Sequence, residues 1–85
     1  MAKIYQRELR KVSEELDKAL RKHKRFNSAH EGWAVIREEV DELWEEVKVR
    51  QNKRRNKRME KEAIQIAAMA IRFVLEVSRG NASDD

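Results

Sequence analysis

Apolar side chains recur at intervals of three and four residues in three segments of the chain, which is the spacing of helices that bury one face. In the first segment these positions are Leu9, Val12, Leu16, Ala19 and His23. Two further segments show helical periodicity, and the chain contains no proline that would interrupt a helix. The pattern predicts an all-α protein with three helices at about residues 3–23, 28–50 and 57–78.

The second helix has a start signal in the sequence. The segment from Ser28 to Glu31 has the form of a capping box, in which the serine and glutamate side chains bond to backbone N–H groups. Its apolar residues are Ile36, Val40, Leu43 and Val47, with Trp33 and Trp44 beside them. Tryptophans at this spacing are more often core residues than ligand contacts. We expect His30 and His23 to be structural.

The third helix is apolar on nearly every side between residues 63 and 77. The polar residues that share one sector of it are Glu62, Gln65, Arg72 and Glu76. A helix of this kind is central to a core and needs more cover than two neighbouring helices supply. We therefore expect a homodimer or a tetramer, in which oligomerisation completes a four-helix-bundle core with this helix at the interface.

The composition is that of one small domain. Residues 1–85 are expected to form a single helical domain, with a flexible tail at 79–85. Cysteine is absent, so neither a disulfide nor a thiolate metal site is expected. The chain does not begin with a signal-peptide pattern, and its longest uncharged run, at 63–71, is too short to cross a bilayer. We expect a cytoplasmic protein that does not enter a membrane.

Positive charge is concentrated between Lys48 and Lys61, although the net charge of the chain is only +4. Eight basic residues stand in this run against one acid, Glu60. Clustered Lys and Arg side chains can bind nucleic-acid phosphates, which makes a nucleic-acid-binding module one alternative. The run contains no aromatic residue and lies between two predicted helices, where a solvated loop is the ordinary interpretation. Nucleic acid is therefore the less favoured partner.

Acidic residues are concentrated on the second helix. Glu39, Glu42 and Glu46 lie three and four residues apart, so they share one helix face at the rim of the core. Hard cations such as Mg²⁺ prefer clustered oxygen ligands, and these carboxylates together with Glu62 can hold Mg²⁺ or Mn²⁺ between two helices. Two alternatives need no metal: a solvated acidic face, or an ion pair between Arg72 and one of these carboxylates.

The acidic residues also match a known pattern. Glu38-Glu39-Val40-Asp41-Glu42, followed after nineteen residues by Glu62-Ala63-Ile64-Gln65, resembles the EExxE…ExxD signature of the MazG-like all-α nucleoside triphosphate pyrophosphohydrolases. The likeness spans about His30 to Val77 and includes the segments HEGWAVIREEVDELWEEV and EAIQIAAMAIRF. It implies a Mg²⁺-dependent hydrolase that cleaves a (d)NTP to the monophosphate and pyrophosphate and works as a dimer or tetramer.

Carried over by position, the carboxylate ligands of the metal are Glu39, Glu42 and Glu62. The resemblance implies that Glu38 is catalytic, either touching a metal or orienting the attacking water. Gln65 departs from the family pattern, which has Asp at this position; its amide oxygen can ligate Mg²⁺ but brings no charge. Glu46 or Asp41 can compensate for that charge. The departure makes a catalytically impaired module that binds nucleotide or protein the main alternative to an active enzyme.

A triphosphate substrate also needs cationic side chains that neutralise the leaving pyrophosphate. Arg72, on the polar sector of the third helix, is the first candidate, and Lys48, Lys53 and Arg54 in the basic run follow. Trp33 is a candidate for stacking on the base. These residues and the carboxylates together form the site that the sequence predicts.

Overall fold

The computed structural model of the protein describes residues 4–49 and 53–79, except for the side chains of residues 53–55. The elements are helix α1 (Gln6–Lys22), helix α2 (Ala29–Val47) and helix α3 (Lys53–Phe73), which continues into a π-helical turn (Val74–Ser78). The predicted all-α class with three helices is confirmed for this part of the chain. The predicted tail lies outside the described residues from position 80 onwards.

The basic run is mostly helical, which corrects the expectation of a solvated loop. Helix α3 begins at Lys53, four residues before the predicted start, and α2 ends at Val47. Lys and Arg are good helix formers, and no Gly or Pro interrupts the segment from 53 to 57. Because the third helix extends into the run, the basic side chains from residue 56 to Lys61 stand on a helix surface.

The predicted capping box is present at the start of α2. The Ser28 hydroxyl accepts a hydrogen bond of 3.1 Å from the backbone N–H of Glu31. The Glu31 carboxylate in turn accepts one of 2.6 Å from the backbone N–H of Asn27, one residue before the N-cap. These two bonds satisfy backbone N–H groups at the N-terminus of α2 and fix where the helix begins.

Helix α3 is the central element, as its apolar sequence predicts. Within the described residues, α1 and α2 each pack against α3 and not against each other. The buried residues of this core are Val12, Ala19, Ala68 and Met69, supported by the partly buried Leu16, Val35, Ile36, Ile64 and Ala67. Because α1 and α2 stand apart, a groove runs between them over α3.

Several apolar residues are more exposed than predicted. On α1, Leu9 is 54% exposed and His23 is also exposed, so neither extends the buried face. Of the four apolar residues predicted for the buried face of α2, Ile36 and Leu43 are partly buried, while Val40 and Val47 are exposed. Trp33 and Trp44 are each 57% exposed, so they do not belong to the core of a single protomer. The reason is that no other helix among the described residues covers this side of α2.

Gly32 allows close packing between α2 and its neighbours. A Cβ atom at this position would lie 2.6 Å from Phe73 Cδ2 and 3.2 Å from Phe26 Cδ2. Glycine is unfavourable inside a helix, but here any larger residue would force the two phenyl rings to move. Gly32 therefore brings α2 close to the C-terminal part of α3.

A buried ion pair fixes the connection between α1 and α2. Arg72 Nε lies 3.2 Å from both carboxylate oxygens of Glu76, and both residues are about 95% buried. Arg72 Nη2 donates to the Lys24 carbonyl oxygen at 2.6 Å, and the Phe26 N–H donates to Glu76 at 2.8 Å. The guanidinium also stacks over the Phe26 ring, 3.8 Å from its centroid. Arg72 thus pairs with Glu76 and not with the α2 carboxylates.

Candidate metal centre and adjoining groove

Three of the predicted ligand residues meet where α2 packs on α3. One carboxylate oxygen from each of Glu39, Glu42 and Glu62 lies within 4.8 Å of the other two. Glu39 and Glu42 are neighbours on one face of α2 because they are three residues apart, and the packing of α3 brings Glu62 opposite them. The structure therefore brings together the carboxylates that the sequence pattern selects.

The protonation of these groups reflects their crowding. Burial, followed by the negative charges of Glu42 and Glu62, raises the pKa of Glu39 to about 7. The pKa of Glu62 is also raised, first by burial and then by the charge of Glu42. Carboxylates that share a small space repel one another unless a proton or a cation lies between them. Bringing the three carboxylates together therefore costs free energy that a bound proton or cation would offset.

The donors fit a hard divalent cation. All three side chains offer carboxylate oxygen, the ligand type that Mg²⁺ and Mn²⁺ prefer. Glu46 lies near the cluster, since its charge raises the pKa of Glu62, and the charge of Glu38 acts on Glu39 in the same way. Asp41 is exposed and bonds to Arg37 at 3.5 Å, so it does not join the cluster.

Gln65 does not join the three carboxylates but contacts the first helix. Its Nε2 donates a hydrogen bond to the carboxylate of Glu15 on α1. The hydrogen bond from Lys18 is the main cause that lowers the pKa of Glu15, and the bond from Gln65 acts in the same direction. Gln65 lies three residues after Glu62, so its side chain is rotated by about 60° around the α3 axis relative to that of Glu62, which directs it towards α1.

The groove between α1 and α2 adjoins the cluster. It has a volume of about 990 Å³, and α3 forms its floor. Glu38 and Glu39 line its α2 side, and Gln65 lies on the floor. Roughly 300–1,000 Å³ is the usual range for small-molecule sites, so a nucleotide fits a space of this size. Glu38 is exposed and lines the groove next to Glu39, which belongs to the carboxylate cluster.

The predicted phosphate-binding residues are not all in this groove. Arg72 lines it, but its guanidinium is held by Glu76 and the Lys24 carbonyl. Lys48 caps the end of α2, where it pairs with Glu45 at 3.1 Å, and it does not line the groove. The side chains of Lys53 and Arg54 lie outside the described residues.

Trp33 stands away from the groove as well. It lines a shallow depression with Ala29, His30 and Phe73 on another side of α2. Its stacking on a base stays a prediction, and Trp44 does not line the groove either.

Sequence reasoning missed the lysines that do line the groove, which are Lys11, Lys18, Lys22, Lys24, Lys57 and Lys61. The position of Lys61, directly before the candidate ligand Glu62, was a signal within the sequence. The contributions of Lys11 and Lys18 depend on how α1 packs against α3, which no motif specifies.

Comparisons with family models, with curated proteins and with solved structures find no match for this chain. Among the described residues, no helix combines the length and the apolar character that a membrane span requires.

Proposed function

We propose that the protein is a Mg²⁺-dependent nucleoside triphosphate pyrophosphohydrolase that converts a (d)NTP to the (d)NMP and pyrophosphate. The observation that carries the proposal is the carboxylate cluster of Glu39, Glu42 and Glu62 at the side of a groove large enough for a nucleotide. The matching EExxE…Exx pattern supports the same assignment. Mn²⁺ is an alternative to Mg²⁺ because it prefers the same oxygen ligands.

The reaction needs charge neutralisation and an activated water. Bound Mg²⁺ would supply Lewis acidity that offsets phosphate charge and lowers the pKa of water. Glu39, Glu42 and Glu62 would hold the ion. Glu38 would accept the proton of the attacking water as general base. The water oxygen bonds to the α-phosphorus while the bond from that phosphorus to the α,β-bridging oxygen breaks, and pyrophosphate leaves with that oxygen.

Release of pyrophosphate from a panel of ribo- and deoxyribonucleoside triphosphates, with and without Mg²⁺, tests the proposal. We expect Mg²⁺-dependent release by the unaltered protein, and a loss of about a hundredfold or more in Glu39→Gln, because this change removes a charged ligand. Glu45→Gln on the same helix is the control, since Glu45 is exposed and pairs with Lys48 away from the cluster. Absence of release for every nucleotide would overturn the proposal.

A second candidate function rests on Gln65. Position 65 holds glutamine in place of the final acidic residue of the family pattern, and its side chain is hydrogen-bonded to Glu15. A protein with this arrangement can bind a metal–nucleotide complex, or a protein, without turning nucleotide over. Nucleotide binding measured by calorimetry, without release of pyrophosphate in the same buffer, would favour this alternative.

We further propose that two copies form a four-helix bundle, as a homodimer or within a tetramer. The exposed apolar side chains of α2 are Trp33, Val40, Trp44 and Val47. Their spacing of seven, four and three residues is that of a coiled-coil seam. Helix α3 adds exposed Ile71 and the π-helical turn adds Val74, which are 41% and 48% accessible. A second copy would cover these side chains and complete the core.

A further inference from the structure

The two sides of the groove carry different charges. The charged residues on its α2 side are all acidic, namely Glu31, Glu38 and Glu39. The α1 side and the floor carry both signs, with cations in excess. A ligand that fills the groove therefore meets negative charge on one side and mostly positive charge on the other. A polyphosphate with a bound cation has this distribution, since the cation contacts the acids and the remaining phosphate oxygens need cations.

Lys61 is the cation best placed between the two sides. It lines the groove, and it directly precedes Glu62 of the carboxylate cluster on α3. Because α3 forms the floor of the groove, Lys61 lies between α1 on one side and α2 on the other.

Lys61 also differs from Lys11 and Lys18 in its ion pairs. Lys11 is engaged with Glu60, and Lys18 pairs with Glu15 at 2.8 Å. Within the part of the chain that the structure describes, no hydrogen bond or ion pair involves the Lys61 ammonium. Lys57 lies four residues earlier, on the same face of α3, and it also lines the groove. Both side chains are exposed, so they can turn towards a ligand at little cost in desolvation.

We propose that Lys61, with Lys57 one helical turn before it, binds the phosphates that leave as pyrophosphate, across the groove from Glu39. This assignment rests on the proposed function and gives the substrate an orientation. The α-phosphate lies near the carboxylates, and the terminal phosphates lie over the N-terminal half of α3. The base and the sugar then point along the groove towards Met69 and Phe26 at its other end.

Binding of inorganic tripolyphosphate in the presence of EDTA tests the cationic side separately from the metal. We expect calorimetry to show binding by the unaltered protein that weakens with added salt, because the contacts are exposed ion pairs. Lys61→Gln should raise Kd roughly fivefold or more, and Lys61→Arg should recover most of the affinity. Arg10→Gln is the matched control, because it also removes one exposed positive charge from the domain but lies outside the groove.

The outcomes separate this assignment from the proposed function. An unchanged Kd in Lys61→Gln, or an equal loss in Arg10→Gln, would overturn the role of Lys61 even if the protein hydrolyses nucleotides. If the protein binds tripolyphosphate through Lys61 but releases no pyrophosphate, phosphate binding in the groove is supported and the proposed enzymatic activity is rejected. In an active protein, Lys61→Gln should also raise KM for the triphosphate, while Arg10→Gln should leave KM unchanged.

Discussion

Glu39 is the residue at which the structure and the proposed chemistry are most closely linked. Its carboxylate is partly buried and lies close to two others, so its pKa is raised to about 7 and the protonated form is favoured below that pH. In the unfolded chain the same group would have its ordinary value of 4.5. At pH values between the two pKa values, the unfolded chain has lost this proton while the folded protein still holds it. The folded state therefore loses stability as the pH rises through this range.

We predict that the metal-free protein loses stability between about pH 4.5 and pH 7, the window set by Glu39, and that the raised pKa of Glu62 acts in the same direction. Mg²⁺ competes with the proton, so its apparent affinity should rise over this window and level off above it. Thermal unfolding in EDTA and in millimolar Mg²⁺ at several pH values measures both effects. Glu39→Gln should flatten the pH dependence in EDTA. A midpoint that Mg²⁺ does not change at pH 8 would contradict the metal site.

Gln65 is the residue at which the family pattern and the structure diverge. We predict that Gln65→Asp lowers the free energy of unfolding by about 1–3 kcal/mol, because it removes the hydrogen bond to Glu15 and sets two carboxylates close together. Urea denaturation with and without Mg²⁺ measures the change. Adding Glu15→Gln should restore much of the loss, since it removes the repulsion. A gain of stability that requires Mg²⁺ would instead mean that residue 65 reaches the metal.

The residues of the candidate site were predictable to different degrees. The three-residue spacing of Glu39 and Glu42 is local, so the shared helix face followed from the sequence alone. The position of Glu62 opposite them was expected from the polar sector of the third helix, and the family resemblance implied it as well. The contact of Gln65 with Glu15 joins residues fifty positions apart, and only the packing of α1 on α3 determines it.

At the scale of elements, the Arg72–Glu76 pair joins α3 to the segment between α1 and α2. Glu76 lies in the π-helical turn that extends α3, and it accepts bonds from both Arg72 and the Phe26 backbone. Buried ion pairs are sensitive to the loss of one partner, because the remaining charge has no counterion.

We predict that Arg72→Met costs about 3–5 kcal/mol of folding free energy, because it leaves the Glu76 carboxylate buried without its counterion. The double variant Arg72→Met/Glu76→Gln should recover much of this loss. The glutamine is neutral, and its amide oxygen can still accept from the Phe26 N–H. Chemical denaturation of the two variants and the unaltered protein measures the difference. A single variant as stable as the unaltered protein would contradict the structural role of the pair.

The extents of the elements show where sequence patterns were sufficient. The start of α2 was predictable because the Ser28 and Glu31 side chains bond within one turn. The start of α3 was missed because a run of Lys and Arg was interpreted as a loop, although these residues favour helices. The exposure of Trp33 and Trp44 was missed because their spacing fits a buried face in any helix. In the part of the chain that the structure describes, no helix covers this face of α2, and that packing decides between core and surface.

At the scale of the whole molecule, the protomer leaves apolar surface that a small domain does not ordinarily expose to water. Trp33 and Trp44 have more than half of their area accessible, and Val40 and Val47 continue the same stripe along α2. Contiguous apolar stripes of this kind usually mark an interface. Because the groove is lined by other residues of α2, a second copy can cover the stripe without covering those residues.

We predict that the protein in solution has twice the 10.2 kDa mass of the chain, or four times that mass if dimers associate further. Trp44→Glu should shift the mass measured by light scattering towards that of one chain, because association would bury an unpaired carboxylate in the apolar interface. Leu20→Glu is the matched control: Leu20 is 41% exposed on α1, outside the proposed interface, so the change should leave the mass unaltered. A mass of 10.2 kDa for the unaltered protein at micromolar concentration would contradict the four-helix assembly.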